Sequence, residues 1–199
     1  LSFATVGILP RTNTAGLDID RYLVHSLSTA AVARQLCSLY GGGDADPADC
    51  FVAGLLHDFG KVVYAQFMPA EFRAVLAESV ASQRPLYEVE RAMIGVDHGV
   101  VGAMLAKRWQ FPPLLIDCIR DHHAENVEAN PMLECLRVAD QICRGPFLRD
   151  ARDSSPWAGM VPSAPQRFGQ DLKAVVDRLG DISRIVAEAT LFVQVDTGK

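Results

Sequence analysis

The chain is predicted to fold as an all-α bundle. Three observations carry that expectation. Apolar residues recur at three- and four-residue steps through most of the 199 residues, Asp or Pro stands at the start of nearly every such stretch, and no alternating apolar/polar run lasts long enough for a strand. The connections are short enough for neighbouring helices to pack on one another.

The first helix is predicted from the cap Asp18 through Tyr22, Leu23, Leu27, Ala30, Ala31, Ala33 and Leu36 to Tyr40, where Gly41-Gly42-Gly43 stops it; His25 lies near its first turns. Asp46-Pro47 supplies a cap and a proline at the first helical position. The helix that follows, Ala48 to about Gln66, is apolar nearly all round (Phe51, Val52, Ala53, Leu55, Leu56, Phe59, Val62, Val63), which places it in the middle of the core. Pro69 opens a helix ending near Gln83, and Pro85 another through Glu88 to Ile94. Asp97 caps His98 to Trp109, Pro112-Pro113 starts Leu114 to His122, and Pro131 starts Met132 to Cys143. The stretch 145–167 holds Pro146, Pro156, Pro162 and Pro165 and reads as a long surface loop with Trp157 as an anchor. Helical pattern returns from Phe168 through Leu172, Val175 and Leu179, pauses at Gly180, and resumes through Ile182, Ile185 and Leu191. Residues 1–17 are a lead-in and 18–195 a single helical domain.

With 49% hydrophobic and 22% charged residues the chain can bury one full core. Its net charge of -5 argues against a wide nucleic-acid footprint, which needs clustered Lys and Arg. There is no apolar run of about twenty residues to span a bilayer, and Leu1 to Pro10 lacks the cationic start of a signal peptide. A cytoplasmic location is expected. Cys37, Cys50, Cys118, Cys135 and Cys143 are odd in number, show no Cys-x-x-Cys and lie mostly among apolar residues, so they read as reduced packing residues.

All five histidines fall in one ordered series: His25, the doublet His57-Asp58, His98, and the pair His122-His123, with Asp140 following on a helical segment. Neutral imidazole and carboxylate bind borderline and hard divalent cations, and this set exceeds the three or four ligands of a single zinc site. Two metals sharing the Asp58 carboxylate are predicted, or none if the site is vestigial, with the ligands delivered by separate helices into a bundle interior. Mixed nitrogen and oxygen donors without a thiolate favour iron or manganese, with zinc, cobalt or magnesium as substitutes. Two cations roughly 3.5 to 4 Å apart clamp a phosphoryl group, which makes phosphoester hydrolysis the natural chemistry. Adjacent helical residues point about 100° apart, so Gly60 is expected to loosen the helix or admit another backbone and let His57 and Asp58 aim at one cavity. Lys61, one turn beyond Asp58, either holds a substrate phosphate or pairs with Asp58; Asp58 and Lys61 are the catalytic candidates. The simpler alternatives are that Asp140 is a solvated helix residue and that His122-His123 form a charged helix end.

At Leu55-Leu56-His57-Asp58-Phe59-Gly60-Lys61 the chain resembles the HD superfamily of metal-dependent phosphohydrolases and, more closely, the HDOD family, the HD-related output domains of bacterial signalling proteins. Supporting stretches are Tyr22-Leu23-Val24-His25-Ser26-Leu27, Arg84-Pro85-Leu86 with Glu88 and Glu90, Gly95-Val96-Asp97-His98 with Gly102, Arg108-Trp109 with Pro112-Pro113, and Asp121-His122-His123, together covering about residues 18 to 145. The resemblance implies an HD-domain-like helical bundle acting as a signal-transduction output domain through protein or nucleotide binding. The alternative it implies is an active phosphohydrolase or phosphodiesterase acting on a (cyclic) nucleotide. The ligand series of the related HD-GYP phosphodiesterases maps onto His25, His57, Asp58, His98, His122, His123 and Asp140. Ala124-Glu125-Asn126-Val127-Glu128 replaces the Gly-Tyr-Pro motif, which counts against cyclic di-GMP as the substrate. Arg21 stands where some relatives carry a Glu that supports a third metal, so no more than two metals are expected. Only Leu1 to Gly16 lies upstream, so the helices that usually come before the His25 segment are expected to be absent or cut short. Expected partners are signalling proteins of two-component or cyclic-nucleotide pathways, with a nucleotide as candidate ligand and a homodimer as candidate assembly. Neither nucleic acid nor a membrane is expected.

Overall fold

The computed structural model describes residues 14–124, 127–128, 130–144, 165–169 and 171–196, and among these every regular element is a helix. They are α1 (Ile19–Tyr40), α2 (Pro47–Leu56), α3 (Phe59–Phe67), α4 (Pro69–Ser82), α5 (Leu86–Met93), α6 (His98–Arg108), α7 (Pro113–Asp121), α8 (Pro131–Arg144), α9 (Pro165–Phe168), α10 (Leu172–Leu179) and α11 (Ile182–Asp196). None is long and apolar enough to cross a membrane.

The local start signals do what their chemistry dictates. Asp18, Asp46, Asp97 and Asp171 each accept a hydrogen bond from a backbone N–H of the first turn they cap, and Asn130 does the same for α8. Prolines stand at the first turns of α2, α4 and α7, where a missing N–H costs nothing.

Two apolar clusters form. The larger joins α1, α2, α6, α7, α8, α10 and α11 around Val32, Leu36, Leu136, Val138 and Ile142; the smaller joins α3, α4 and α5 around Tyr64, Phe72, Val75 and Val89. α6 bridges them, with Ala103 and Ala106 in the first and Val101 against the second. α1 packs along α2, α8 and α11.

Three expectations need correction. The long helix predicted from Ala48 to Gln66 is two helices, broken at His57-Asp58, where Asp58 sits at φ -94°, ψ 4° in the bridge region. That segment is not the centre of the core either, because Phe51, Val52, Leu55, Leu56, Phe59 and Val63 are only half-buried. α8 takes the centre: from Met132 to Cys143 all but Gln141 are buried, charged side chains included, with Glu134 paired to Arg167, Arg137 donating to the Asp121 carbonyl and one Asp140 oxygen paired to Arg144. α9 (Pro165–Phe168) lies almost wholly in the stretch expected to be a loop, and the helix expected from Phe168 starts only at Leu172, after the cap Asp171. Of the proline-rich stretch 145–167, positions 145–164 and Trp157 with them lie outside the described residues, as do 1–13 of the lead-in.

Candidate metal centre

Close backbone contacts bring the donors together. A Cβ at Gly54 would lie 2.6 Å from the Ala30 Cα, so α2 rests on α1 one turn before His57 and just beyond His25. A Cβ at Gly60 would lie 2.7 Å from the His98 carbonyl carbon, so α3 rests on the start of α6. Gly60 therefore serves as the second of the two roles expected of it, and the helix break at His57-Asp58 does the aiming. The C-terminal turn of α7 brings His122 and His123 to the same place, and α8 brings Asp140.

His57, Asp58, His98, His122 and Asp140 are buried; His25 and His123 are partly so. His25 Nε2 lies 3.3 Å from His57 Nε2, 3.2 Å from Asp140 Oδ1 and 3.6 Å from Asp58 Oδ2. Asp140 Oδ1 is also 3.6 Å from His57 Nε2. On the other side of Asp58, His98 Nε2 is 3.1 Å from Oδ1 and 3.0 Å from His123 Nε2, and His122 Nε2 is 3.8 Å from Oδ1. The donors thus fall into two groups, His25/His57/Asp58 and Asp58/His98/His122/His123, with Asp58 common to both. Asp140 joins the first group and is not a solvated helix residue; its outer oxygen pairs with Arg144 at 2.7 Å.

Three of the five rings are oriented from behind. His57 Nδ1 lies 2.8 Å from the Gly54 carbonyl and His122 Nδ1 2.7 Å from the Ile119 carbonyl, three residues back in each case. A carbonyl only accepts, so Nδ1 carries a proton and, in the neutral ring, the Nε2 lone pair faces the other donors. His98 Nδ1 is 2.6 Å from Glu90 Oε2, the carboxylate–imidazole arrangement that raises ligand basicity.

The electrostatics suit a cation. Burial holds His25, His122 and His123 below their ordinary value, hence neutral; for His122 the neighbouring His57 and His98 add to it, and for His25 the Asp140 carboxylate only partly opposes it. Burial pushes Asp58 upward, but His57, Lys61 and His98 outweigh it and hold the carboxyl well below the usual range. Asp140 is likewise held low, by Arg144, His25 and His57 against burial. For His98, burial and Lys61 pull downward, but Glu90 and Asp58 prevail and raise it.

The donor set fits divalent ions. Asp58 Oδ1, Asp140 Oδ1 and His122 Nε2 are buried without a hydrogen-bond partner, a costly arrangement for a polar atom that a cation would relieve. Two ligands held at about 2.1 Å from one ion, at tetrahedral or octahedral angles, lie roughly 3.0 to 3.4 Å apart. The pairs His25–His57, His98–His123 and His98–Asp58 have that spacing. All seven predicted ligands are gathered at this point, and Lys61 Nζ pairs with Asp58 Oδ2 at 2.5 Å. The five cysteines are free, buried and take no part.

Three supporting residues have no predicted role. Glu90 is fully buried against His98; Arg144 holds Asp140; and buried Arg137 donates to the carbonyls of Asp121 and Ala124, bracketing the His122-His123 turn. Glu90 sits eight residues before His98 on a short helix; the sequence marked it only as part of a supporting stretch, with no role assigned.

The chain matches the HDOD domain over residues 1–125. An uncharacterized protein of Treponema pallidum (strain Nichols) is 39% identical over 107 residues, 52% of this chain and 21% of that protein. Ribonuclease Y of Mycoplasma mycoides subsp. mycoides SC is 28% identical over 120 residues, 60% of this chain and 18% of that protein. This chain thus spans only a minor part of those relatives' length. An HDOD domain protein with unknown function from Geobacter sulfurreducens superposes with a TM-score of 0.74 at 27% identity, over 90% of this chain and 64% of that one.

Proposed function

The chain belongs to the HDOD domain family, and we propose that it is a signal-transduction output domain built round a centre for two divalent cations. One observation carries the reading: a single buried carboxylate, Asp58, is shared by two donor groups drawn from separate helices. A structural role alone would leave three orphaned polar atoms, Asp58 Oδ1, Asp140 Oδ1 and His122 Nε2, in one donor cluster with nothing to offset them. His25, His57, Asp58 and Asp140 would hold one ion; Asp58, His98, His122 and His123 the other. Nitrogen and oxygen donors without thiolate favour iron or manganese. The output would pass through protein or nucleotide contacts on the helical shell.

A second reading is hydrolysis of a phosphodiester, favoured by the likeness to ribonuclease Y and by Lys61 beside the shared carboxylate. Bound ions would supply Lewis-acid charge for a phosphoryl group, and Lys61 would bind its oxygens.

Metal analysis of the purified chain tests the centre: close to two iron or manganese per chain is expected, and none would end the proposal. Incubation of the loaded protein with a generic phosphodiester separates the readings. Turnover that Asp58→Ala abolishes supports the second; two bound ions without turnover support an output role.

A further inference from the structure

α5 touches the candidate centre on one side only. Tyr87 and Glu90 stand three residues apart and so share a face of this helix. Glu90 Oε2 accepts from the His98 backbone N–H at 2.8 Å and lies 2.6 Å from the His98 ring nitrogen, so it fixes both the start of α6 and the imidazole on it. The Tyr87 ring stacks on the His123 ring, centroids 4.3 Å apart and planes 15° from parallel. Arg91 lies over the Tyr87 ring at 5.1 Å and pairs at 2.6 Å with Asp97, the residue that caps α6. The helix is therefore clamped to the chain segment that delivers His98.

Both imidazoles that α5 backs belong to the same donor group. The other group has its own supports: the Gly54 carbonyl on α2 behind His57 and Arg144 on α8 behind Asp140. We propose that α5 selectively assembles the His98/His122/His123 half of the centre, with Glu90 and Tyr87 as positioning residues, so that this half can be weakened while the His25/His57/Asp140 half is kept. The inference rests on the two-cation reading above.

Outer carboxylates on ligating imidazoles typically govern 10- to 100-fold in metal affinity. The test is titration of the metal-free chain with Mn²⁺ alone, followed by binding stoichiometry and by electron paramagnetic resonance, with thermal melting of the metal-free forms as the control for folding. The unaltered chain is expected to take two Mn²⁺ and give the broadened signal of a coupled pair. Glu90→Ala should keep one tight ion, weaken the second about 10- to 100-fold, and show the six-line signal of an isolated Mn²⁺. Glu90→Gln, which retains an acceptor for the ring N–H, should recover part of the second affinity. Tyr87→Ala should lose part of it and Tyr87→Phe should not. If Glu90→Ala fails to fold, the Gln and Tyr87 variants carry the same comparison. Equal weakening of both ions, or two ions bound unchanged in Glu90→Ala and Tyr87→Ala, overturns the inference while leaving the two-cation reading intact. Fewer than two ions in the unaltered chain overturns both.

Discussion

The backbone of His98 lies directly on Gly60: a methyl group there would sit 2.7 Å from the His98 carbonyl carbon and 2.9 Å from its Cα. Gly60 is two residues past Asp58, so this contact sets how near the shared carboxylate comes to its His98 donor. Gly60→Ala is expected to push α3 off α6, lowering stability by on the order of 3 kcal/mol and weakening metal uptake. Urea denaturation and metal analysis check both; an unchanged midpoint with full metal content would show that the two helices have room to spare.

Asp58→Ala should remove both ions together, because the carboxylate belongs to both donor groups. Metal content would fall to near zero, not to half. A variant that keeps even one ion at full affinity refutes the bridging role.

Metal-free protein should melt at a lower temperature at pH 5 than at pH 7. Unfolded imidazoles titrate near 6.5, while burial holds folded His25, His122 and His123 below that. Between the two values the unfolded chain binds more protons, so the stability is present above 6.5 and is lost as pH falls. His98 works in the opposite sense: its folded value is raised, so its contribution is fully present below 6.5 and is lost as pH rises from there through the folded value. The His98 contribution changes only above 6.5, so between pH 5 and 6.5 the three lowered rings set the sign. Asp58 and Asp140, held well below 3.8, add a further loss only at much lower pH. Melting curves across this range give the answer, and a flat profile contradicts the assignment of neutral buried rings.

The thiols should be inert in the folded protein. Burial lifts Cys37, Cys118 and Cys143 to about 12, and Cys50, hydrogen-bonded with Cys135, is raised further. Only the thiolate reacts. Alkylation at neutral pH should label almost nothing within minutes and all five cysteines after denaturation; rapid labelling of the native chain would point to opening of the α1–α2–α8 core.

Much of this was legible because it is local. A cap such as Asp18 or Asp97 and a helix-opening proline act within one turn, so the boundaries of α1, α6 and α7 can be read to within a residue or two. The donor series was legible because imidazole is scarce and each one fell beside a motif. The break at His57-Asp58 was hidden, since the apolar pattern runs straight through it and only the approach of α6 onto Gly60 reveals why the chain must turn. The centrality of α8 was hidden for the opposite reason: Glu134, Arg137 and Asp140 give it a polar reading, and their partners come from distant parts of the chain. Glu90 stood in a supporting stretch, but its role behind His98 was hidden because a glutamate on a short amphipathic helix is normally solvated.

The pinning of His57, His98 and His122 from behind, by carbonyls and a carboxylate, means that three of the seven donors would already be oriented when a cation arrives. A cage braced in this way cannot swell to follow its guest. Selection among cations should then turn on ionic radius, with calcium, which prefers more numerous and longer oxygen bonds, rejected in favour of the compact transition ions.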